Sequence, residues 1–265
     1  MPEFMARFLL KRRWIIRPGL ESSDPSAAVD QYIMGLSAYD KSIKGKRVLV
    51  FGYGGRFAVG MELLRHGAAH VVLCDHFVVL DKERNLELFP NYANYLFVEN
   101  NDVKPRSEFI TLLHGDIRDN SIQRQVSPVD LVLSTSVYEH LDDVDGITHA
   151  LSKLTAPQGV HLHYVDLRDH YFKRPFEMLT FSETIWKNLL NPTSNLNRYR
   201  LPSYKSIFEK FFKKIDVTVL AREEDKFSEA VHRIRSEFLS GDGSIDSTTL
   251  IQVFADRPVG KNDEG

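Results

Sequence analysis

Between Lys46 and Asp75 the chain runs strand, glycine loop, helix, strand, acid, and few folds accommodate that order. Residues 47–51 (Arg-Val-Leu-Val-Phe) are a short apolar run that ends in Gly52-Tyr53-Gly54-Gly55. The spacing predicts a helix from about Phe57 to His66, with Val59, Leu63 and Leu64 on its buried face and Gly67 as terminator. His70 to Cys74 reads as a second strand, with Asp75 at its end. Two parallel strands need a crossover of this kind, so the segment predicts a βαβ unit. A glycine loop opening a helix offers unpaired backbone N–H groups and lets a ligand approach the main chain closely. An acid at the end of the next strand is placed to accept hydrogen bonds from both hydroxyls of a ribose. Together these features point to an adenosine-containing cofactor; the alternative is a tight turn followed by a helix-capping acid.

The alternation continues. Phe109 to His114 reads as a third strand followed by Gly115-Asp116-Ile117, and Asp130 to Ser134 as a fourth. A helix is predicted near Asp143–Leu154, a turn at Pro157-Gln158-Gly159 and a fifth strand over Val160–Val165. Ile215–Leu220 and Thr248–Phe254 read as two more strands, the last antiparallel and fed by a helix-like segment, Lys226–Leu239. Continuous Val/Leu runs suit strands buried on both faces of a parallel sheet. The predicted fold is α/β: a Rossmann-like, seven-stranded, mostly parallel sheet with helices on both faces and helical lid insertions.

At 265 residues the chain is one large domain or two small ones. The strand pattern favours a single domain, 1–265. Within it, 1–45 is read as an N-terminal helical lid with a helix near Pro25–Tyr39, and 46–165 as the cofactor-binding core. Residues 166–204 read as a substrate cap, 205–257 as C-terminal strands and helix, and 258–265 as a frayed tail. Lys+Arg is 34 and Asp+Glu 36, a balance that argues against a nucleic-acid binder working through global basicity. The basic run Lys11-Arg12-Arg13 with Arg17 reads as a solvated face. The single cysteine, Cys74, excludes an intrachain disulfide and a Cys-rich zinc module. No apolar run approaches the roughly 20 residues of a membrane helix, so membrane insertion is not expected. Phe8-Leu9-Leu10 passes at once into basic residues, unlike a secretory signal, and the expected location is cytoplasmic. Oligomeric state is not legible.

The cofactor class is narrowed by what the loop lacks. The dinucleotide fingerprint G-x-G-x-x-G requires glycine at position 57, where Phe57 stands. From Val48 to Leu141 the chain instead resembles the class I S-adenosylmethionine-dependent methyltransferase family at four points in order. Val48-Leu49-Val50-Phe51-Gly52-Tyr53-Gly54-Gly55 is similar to the family's first motif, and Asp75 stands at its ribose-binding acid. Gly115-Asp116-Ile117 is similar to the turn whose acid receives the adenine amino group while the next residue packs on the ring. Asp130 to Leu141 resembles the fourth-strand motif that ends Glu-His-Leu in many small-molecule members. The likeness spans about residues 46–165, and the stretch from Asp166 to Tyr204 resembles uncharacterised bacterial methyltransferases. Two positions depart: Val50 stands where the family has an acid, and Arg56 where it has a third glycine.

The resemblance implies S-adenosyl-L-methionine as cofactor and S-adenosyl-L-homocysteine as product. It implies cofactor contacts at Gly52, Tyr53, Gly54, Gly55, Asp75, His76, Asp116, Ile117, Ser134 and Glu139. The implied chemistry is an in-line displacement at a sulfonium methyl, where alignment of the two reactants supplies most of the acceleration. For a hydroxyl acceptor, a positioned base adds roughly 10²–10⁴-fold. Such a base belongs at the carboxyl ends of strands four and five, which nominates His140, Asp166 and His170 as catalytic. Each has a plainer role available, in capping a helix or binding loop amides. His161 and His163 alternate onto one strand face and read as core histidines; no metal is expected.

The cap predicts the acceptor only in outline. Tyr171, Phe172, Phe176, Phe181, Trp186, Tyr199 and Tyr204 are interleaved with Arg168, Arg198 and Arg200, and Asn195 and Asn197 lie close by. That mixture suits a polar small molecule or glycan-like acceptor, with Arg168, Tyr171, Arg198 and Tyr199 as substrate-binding candidates. O-methylation is the favoured reaction. An NAD(P)-dependent reductase of Rossmann type, or a non-catalytic cofactor-binding or interaction module on the same fold, are the alternatives.

Overall fold

The computed structural model describes residues 24–77, 79–172, 174–191 and 196–259. Its centre is the anticipated βαβ unit. Strand β1 (Arg47–Phe51) passes through helix α1 (Ala58–Arg65) into strand β2 (His70–Asp75), and the two strands pair in parallel with Val48 opposite Val71 and Val50 opposite Leu73. Side chains of β1 alternate between two cores. Val48 and Val50 join one face of the sheet, and Leu49 and Phe51 the other. Both faces are covered, so both sets are apolar and the strand shows no polar alternation in sequence.

The sheet is completed by β5 (Ile110–His114), β6 (Val129–Thr135), β7 (Thr155–Asp166), β8 (Phe212–Arg222) and β9 (Thr248–Pro258) in the order β5-β2-β1-β6-β7-β9-β8. β9 runs antiparallel to both β7 and β8, and the remaining neighbours are parallel. One face carries α1 and the preceding helix over Pro25–Ser37; the other carries α2 (Val144–Leu154) and α3 (Leu201–Glu209). The chain leaves β1 toward β2 on one side and resumes at β6 on the other. That reversal opens a crevice at the carboxyl ends of β1 and β6, the place where open α/β sheets bind ligands.

Four local expectations change. A hairpin of β3 (Leu96–Glu99) and β4 (Asp102–Pro105) stands where no strand was anticipated. Pro157-Gln158-Gly159 is part of β7 rather than a separate turn, and the resulting irregularity appears as a register shift opposite Val129 and Leu131. The helix expected over Lys226–Leu239 ends early: α4 (Glu224–Ala230) gives way to short 3-10 turns. There Ile234 is drawn into the cap's apolar cluster, and the Arg235 amide donates to the Leu179 carbonyl at 3.2 Å. The described part of 1–45 is built into the sheet's face, with Val29, Tyr32 and Leu36 fully buried against strand residues, and so is a layer of the sandwich more than a lid. Within it, Asp24 caps the helix through the Ala27 amide at 3.1 Å, with Pro25 at the first helical position.

The basic run at Lys11–Arg13, Asn195 and the tail from residue 260 lie outside the described residues. Among the described residues no helix is long and apolar enough to cross a membrane.

Candidate active site

The glycine loop sits at the carboxyl end of β1 in a conformation that glycine alone adopts freely. Gly52, Gly54 and Gly55 have φ of +84°, +70° and +84°. At Gly52 there is a second constraint: a Cβ would lie 2.4 Å from Cγ2 of Val137, at the carboxyl end of β6. The loop is tied to the next strand by the Gly52 amide, which donates to the Cys74 carbonyl at 2.8 Å. It is also clamped from a residue absent from the sequence-based candidates. Asn85, 2% exposed, accepts from the Phe57 amide at 2.9 Å and donates to the Gly55 carbonyl at 2.9 Å. Nothing in the charged stretch around Asn85 marks it as part of the loop. Tyr53 turns inward, buried, with its hydroxyl 2.6 Å from Nε2 of His114.

Asp75 ends β2 beside this loop. Its Oδ2 accepts from the Gly54 amide and its Oδ1 from the Phe77 amide, both at 3.0 Å. Burial pushes its carboxyl pKa up, while these two amides pull in the opposite direction. A carboxylate has about four acceptor positions, so two are left for a pair of hydroxyls. His76 is exposed beside it, its ring centroid 4.0 Å from that of Phe77.

Asp116 follows β5 and is gripped by Arg118. The guanidinium donates from Nε to Oδ1 at 2.9 Å and from Nη2 to Oδ2 at 2.6 Å, and the Arg118 amide adds a bond to Oδ1 at 2.9 Å. These bonds hold the Asp116 carboxyl below the ordinary carboxylate range. Ile117 is buried in the core on the α2 side of the sheet. Ser134 is also buried, its Oγ 2.8 Å from Nδ1 of His163. From there a polar chain crosses the core: His163 Nε2 to His161 Nδ1 at 3.2 Å, and His161 Nε2 to Thr155 Oγ1 at 2.8 Å. The two histidines are thus a satisfied internal pair, and burial lowers both of their pKa values. Among the described residues no group of three or more His, Cys, Asp or Glu side chains is arranged to hold a metal ion.

The turn after β6 carries Glu139 and His140. Glu139 is 2% exposed with neither carboxyl oxygen hydrogen-bonded, and burial drives its pKa well above the ordinary value. The ring of His140 faces that of His170, with centroids 5.3 Å apart. His170 in turn lies with Nε2 3.6 Å from Oδ2 of Asp166 at the end of β7. Arg168 forks onto the same carboxylate, Nε to Oδ1 at 2.9 Å and Nη2 to Oδ2 at 2.6 Å. Burial alone would raise the Asp166 pKa, but its bonds from His170 and Arg168 prevail and hold it well below the carboxylate range. His140, Asp166, Arg168 and His170 therefore form one cluster beside the crevice.

The cap is largely its own small core. Phe176, Met178, Leu179, Trp186 and Leu196 pack with Phe227 and Ile234. Arg198, expected to face substrate, is buried there instead. It donates to the Met178 and Phe181 carbonyls, pairs with Glu183, and lies 4.6 Å from the Phe238 ring centroid. A guanidinium has five N–H donors, and three hydrogen bonds from this one are made within the cap. Tyr171 and Tyr199 are 38% and 41% exposed and remain available to a ligand. This segment is tied to the turn after β6 by Asn197, which the sequence offered only as part of the polar mixture around an acceptor. Its amide donates to the Glu139 carbonyl at 2.7 Å, and its side chain to those of Tyr138 and Leu141 at 2.8 and 3.1 Å.

No protein-family model and no curated protein matches this sequence. Solved structures do match. A protein assigned as a sarcosine dimethylglycine methyltransferase from Galdieria sulphuraria is similar over 96% of this chain and 97% of its own, at 11% identity and a TM-score of 0.53. One assigned as an O-methyltransferase from Nostoc punctiforme is similar over 95% of this chain and 60% of its own, at 14% identity and a TM-score of 0.52. Phosphoethanolamine N-methyltransferase 2 of Haemonchus contortus, in complex with S-adenosyl-L-methionine, is similar over 87% of this chain and 53% of its own, at 16% identity and a TM-score of 0.51. At these identities the likeness is one of fold. The chain has the Rossmann-like fold of the class I S-adenosylmethionine-dependent methyltransferases, as the order of motifs implied.

Proposed function

We propose that this protein is an S-adenosyl-L-methionine-dependent methyltransferase that methylates a hydroxyl of a polar small molecule or glycan-like acceptor. The residues present fit such a cofactor. The loop Gly52–Gly55 has the positive φ values that let a ligand approach the backbone, and Asp75 keeps acceptor capacity for a ribose. Asp116 is an ionised acceptor for an amino group. Val50, where the family has an acid, is fully buried, so it offers the cofactor's methionine end no side-chain acceptor. When bound, the cofactor supplies an electrophilic methyl group.

The observation that carries the reading is the Asp166–His170 pair at the edge of the same crevice. An ionised Asp166 orients the His170 imidazole and stabilises the charge the ring gains on taking a hydroxyl proton. His140, its ring tilted against that of His170, is the second candidate to meet the acceptor. Arg168 forks onto the same carboxylate and holds it in place beside His170. Tyr171 and Tyr199 offer exposed rings at the cap for the acceptor's flat or sugar-like body. Mass spectrometry of the purified protein, followed by calorimetric titration with S-adenosylhomocysteine, tests the cofactor. Transfer of labelled methyl groups to a metabolite extract, with the product's methylated atom assigned by fragmentation, tests the reaction. Binding of NAD(P)H without binding of S-adenosylhomocysteine would overturn the proposal. Tight cofactor binding without turnover on any acceptor would favour a non-catalytic module.

A further inference from the structure

We propose that Arg118 sets the base specificity of the cofactor site by clamping Asp116 in the one orientation that accepts from the 6-amino group of a purine. This rests on the proposed function, since it assumes that an adenosine lies in the crevice with its base at Asp116.

The clamp is built from two sides. On one side the guanidinium fork and the Arg118 amide take three bonds to Asp116, at 2.9, 2.6 and 2.9 Å. On the other, Nη1 of Arg118 reaches Asp143 at 3.1 Å and Asp142 at 3.6 Å. Asp143 is itself fixed, because its Oδ1 accepts from the Gly146 amide at 2.8 Å as the N-cap of α2. The arginine therefore cannot rotate away from Asp116 without releasing its contacts at a helix terminus. A planar fork confers this geometry, and a lysine ammonium does not.

The clamp also leaves room for a ligand. Oδ1 accepts from the Arg118 amide and Oδ2 from Nη2, while the single Nε proton is shared between them at 2.9 and 3.1 Å. Three protons thus meet a carboxylate with about four acceptor positions, which leaves one for a ligand. The Asp116 side chain is 24% exposed, so a ligand can reach it. An ionised carboxylate only accepts, and so it discriminates a 6-amino group, which donates, from a 6-oxo group, which does not. Arg118 keeps Asp116 ionised through these hydrogen bonds, against a smaller opposing effect of burial.

The test is calorimetric titration of the full chain with S-adenosylhomocysteine and with S-inosylhomocysteine, which carries oxygen in place of the 6-amino group. The wild type should favour the adenosyl compound by at least tenfold, the scale of one hydrogen bond to a charged group. Arg118→Gln should narrow the ratio to about threefold or less. Arg118→Lys, which keeps the charge and approximate volume, should narrow it as well, and it carries the test should the glutamine variant fail to fold. A parallel weakening of both ligands with the ratio intact would mean that Arg118 is merely structural and would overturn the inference. A ratio preserved in Arg118→Lys alone would overturn the clamp in favour of charge. Wild-type protein that binds the adenosyl compound without discriminating overturns this inference and leaves the cofactor reading standing. Wild-type protein that binds neither overturns both.

Discussion

The Gly54 amide donates to Oδ2 of Asp75 at 3.0 Å, so the glycine loop and the acid of the next strand form one unit before any ligand arrives. The acid shapes the loop with one lone pair and keeps others for a ligand. Asp75→Ala should therefore weaken S-adenosylhomocysteine binding at least tenfold by calorimetry, the scale of one charge-assisted hydrogen bond. Asp75→Asn can present an oxygen to the Gly54 amide but carries no charge, so it should fall between wild type and alanine. Unchanged affinity in the alanine variant would remove Asp75 from the cofactor site.

Gly52 is held by conformation and by space together. Gly52→Ala meets a backbone penalty of about 1–2 kcal/mol for an L-residue at φ +84°. It also meets the overlap with Val137, worth about 1–3 kcal/mol if the β6 turn must shift. Thermal unfolding of Gly52→Ala, Val137→Ala and the double variant should show partial rescue: Val137→Ala relieves the overlap and leaves the backbone term. Strict additivity would mean the two sites do not touch.

These positions divide what was legible in the sequence from what was not. Gly52, Asp75 and Asp116 are short-range features: each lies at the end of an apolar run, and strand ends in an α/β sheet converge on one edge. The βαβ unit and the sheet were legible for the same reason. Asn85 was not, and Asn197 was legible only as a polar residue near an acceptor, because their work is done on backbone groups about 30 and 56–59 residues away and a lone asparagine carries no mark of its partner. Arg198 was misjudged because arginine beside aromatic residues looks the same in sequence whether it faces a ligand or closes a small core. The β3–β4 hairpin was missed because Leu96–Glu99 and Asp102–Pro105 are too short and too polar to stand out as strands.

Asn197 gives a separable prediction for the cap. Asn197→Ala keeps the amide bond to Glu139 but loses both side-chain bonds to the β6 turn and the acceptor for the Tyr204 hydroxyl. Hydrogen exchange should quicken across the cap and at Tyr138–Leu141, with affinity for S-adenosylhomocysteine within about twofold of wild type. A large loss of cofactor affinity with an unchanged exchange pattern would contradict this division of labour.

The buried chain Ser134–His163–His161–Thr155 predicts acid sensitivity. Burial lowers the pKa of His163 to about 3 and that of His161 well below its ordinary value. The unfolded chain protonates both near 6.5. Below that pH the unfolded state binds more protons than the folded one, so stability falls as pH falls, by about 1.4 kcal/mol per pH unit for each histidine. Glu139 works the other way: its raised pKa means the folded state gains its proton first, which adds stability as pH falls toward the ordinary glutamate range. Comparing His163→Gln with wild type cancels the Glu139 contribution. Between pH 6.5 and 4 the variant's denaturant midpoint should fall less steeply than the wild type's. Equal slopes would place the acid sensitivity elsewhere.

His170 and Asp166 make the last prediction, and it concerns rate rather than binding. If the pair takes the acceptor's proton, His170→Ala should lower kcat by roughly 10²–10⁴ while leaving affinity for S-adenosylhomocysteine unchanged. Asp166→Asn should lower kcat less. It removes the charge that steadies the imidazolium, and it also frees Arg168, whose fork loses its carboxylate partner. The split between kcat and KM separates catalysis from positioning. His140→Ala provides the contrast: a residue that only packs against His170 should raise the KM for the acceptor and leave kcat near the wild-type value. Should His140→Ala abolish turnover while His170→Ala retains it, the base would be His140, and the Asp166–His170 pair would be acting on position alone.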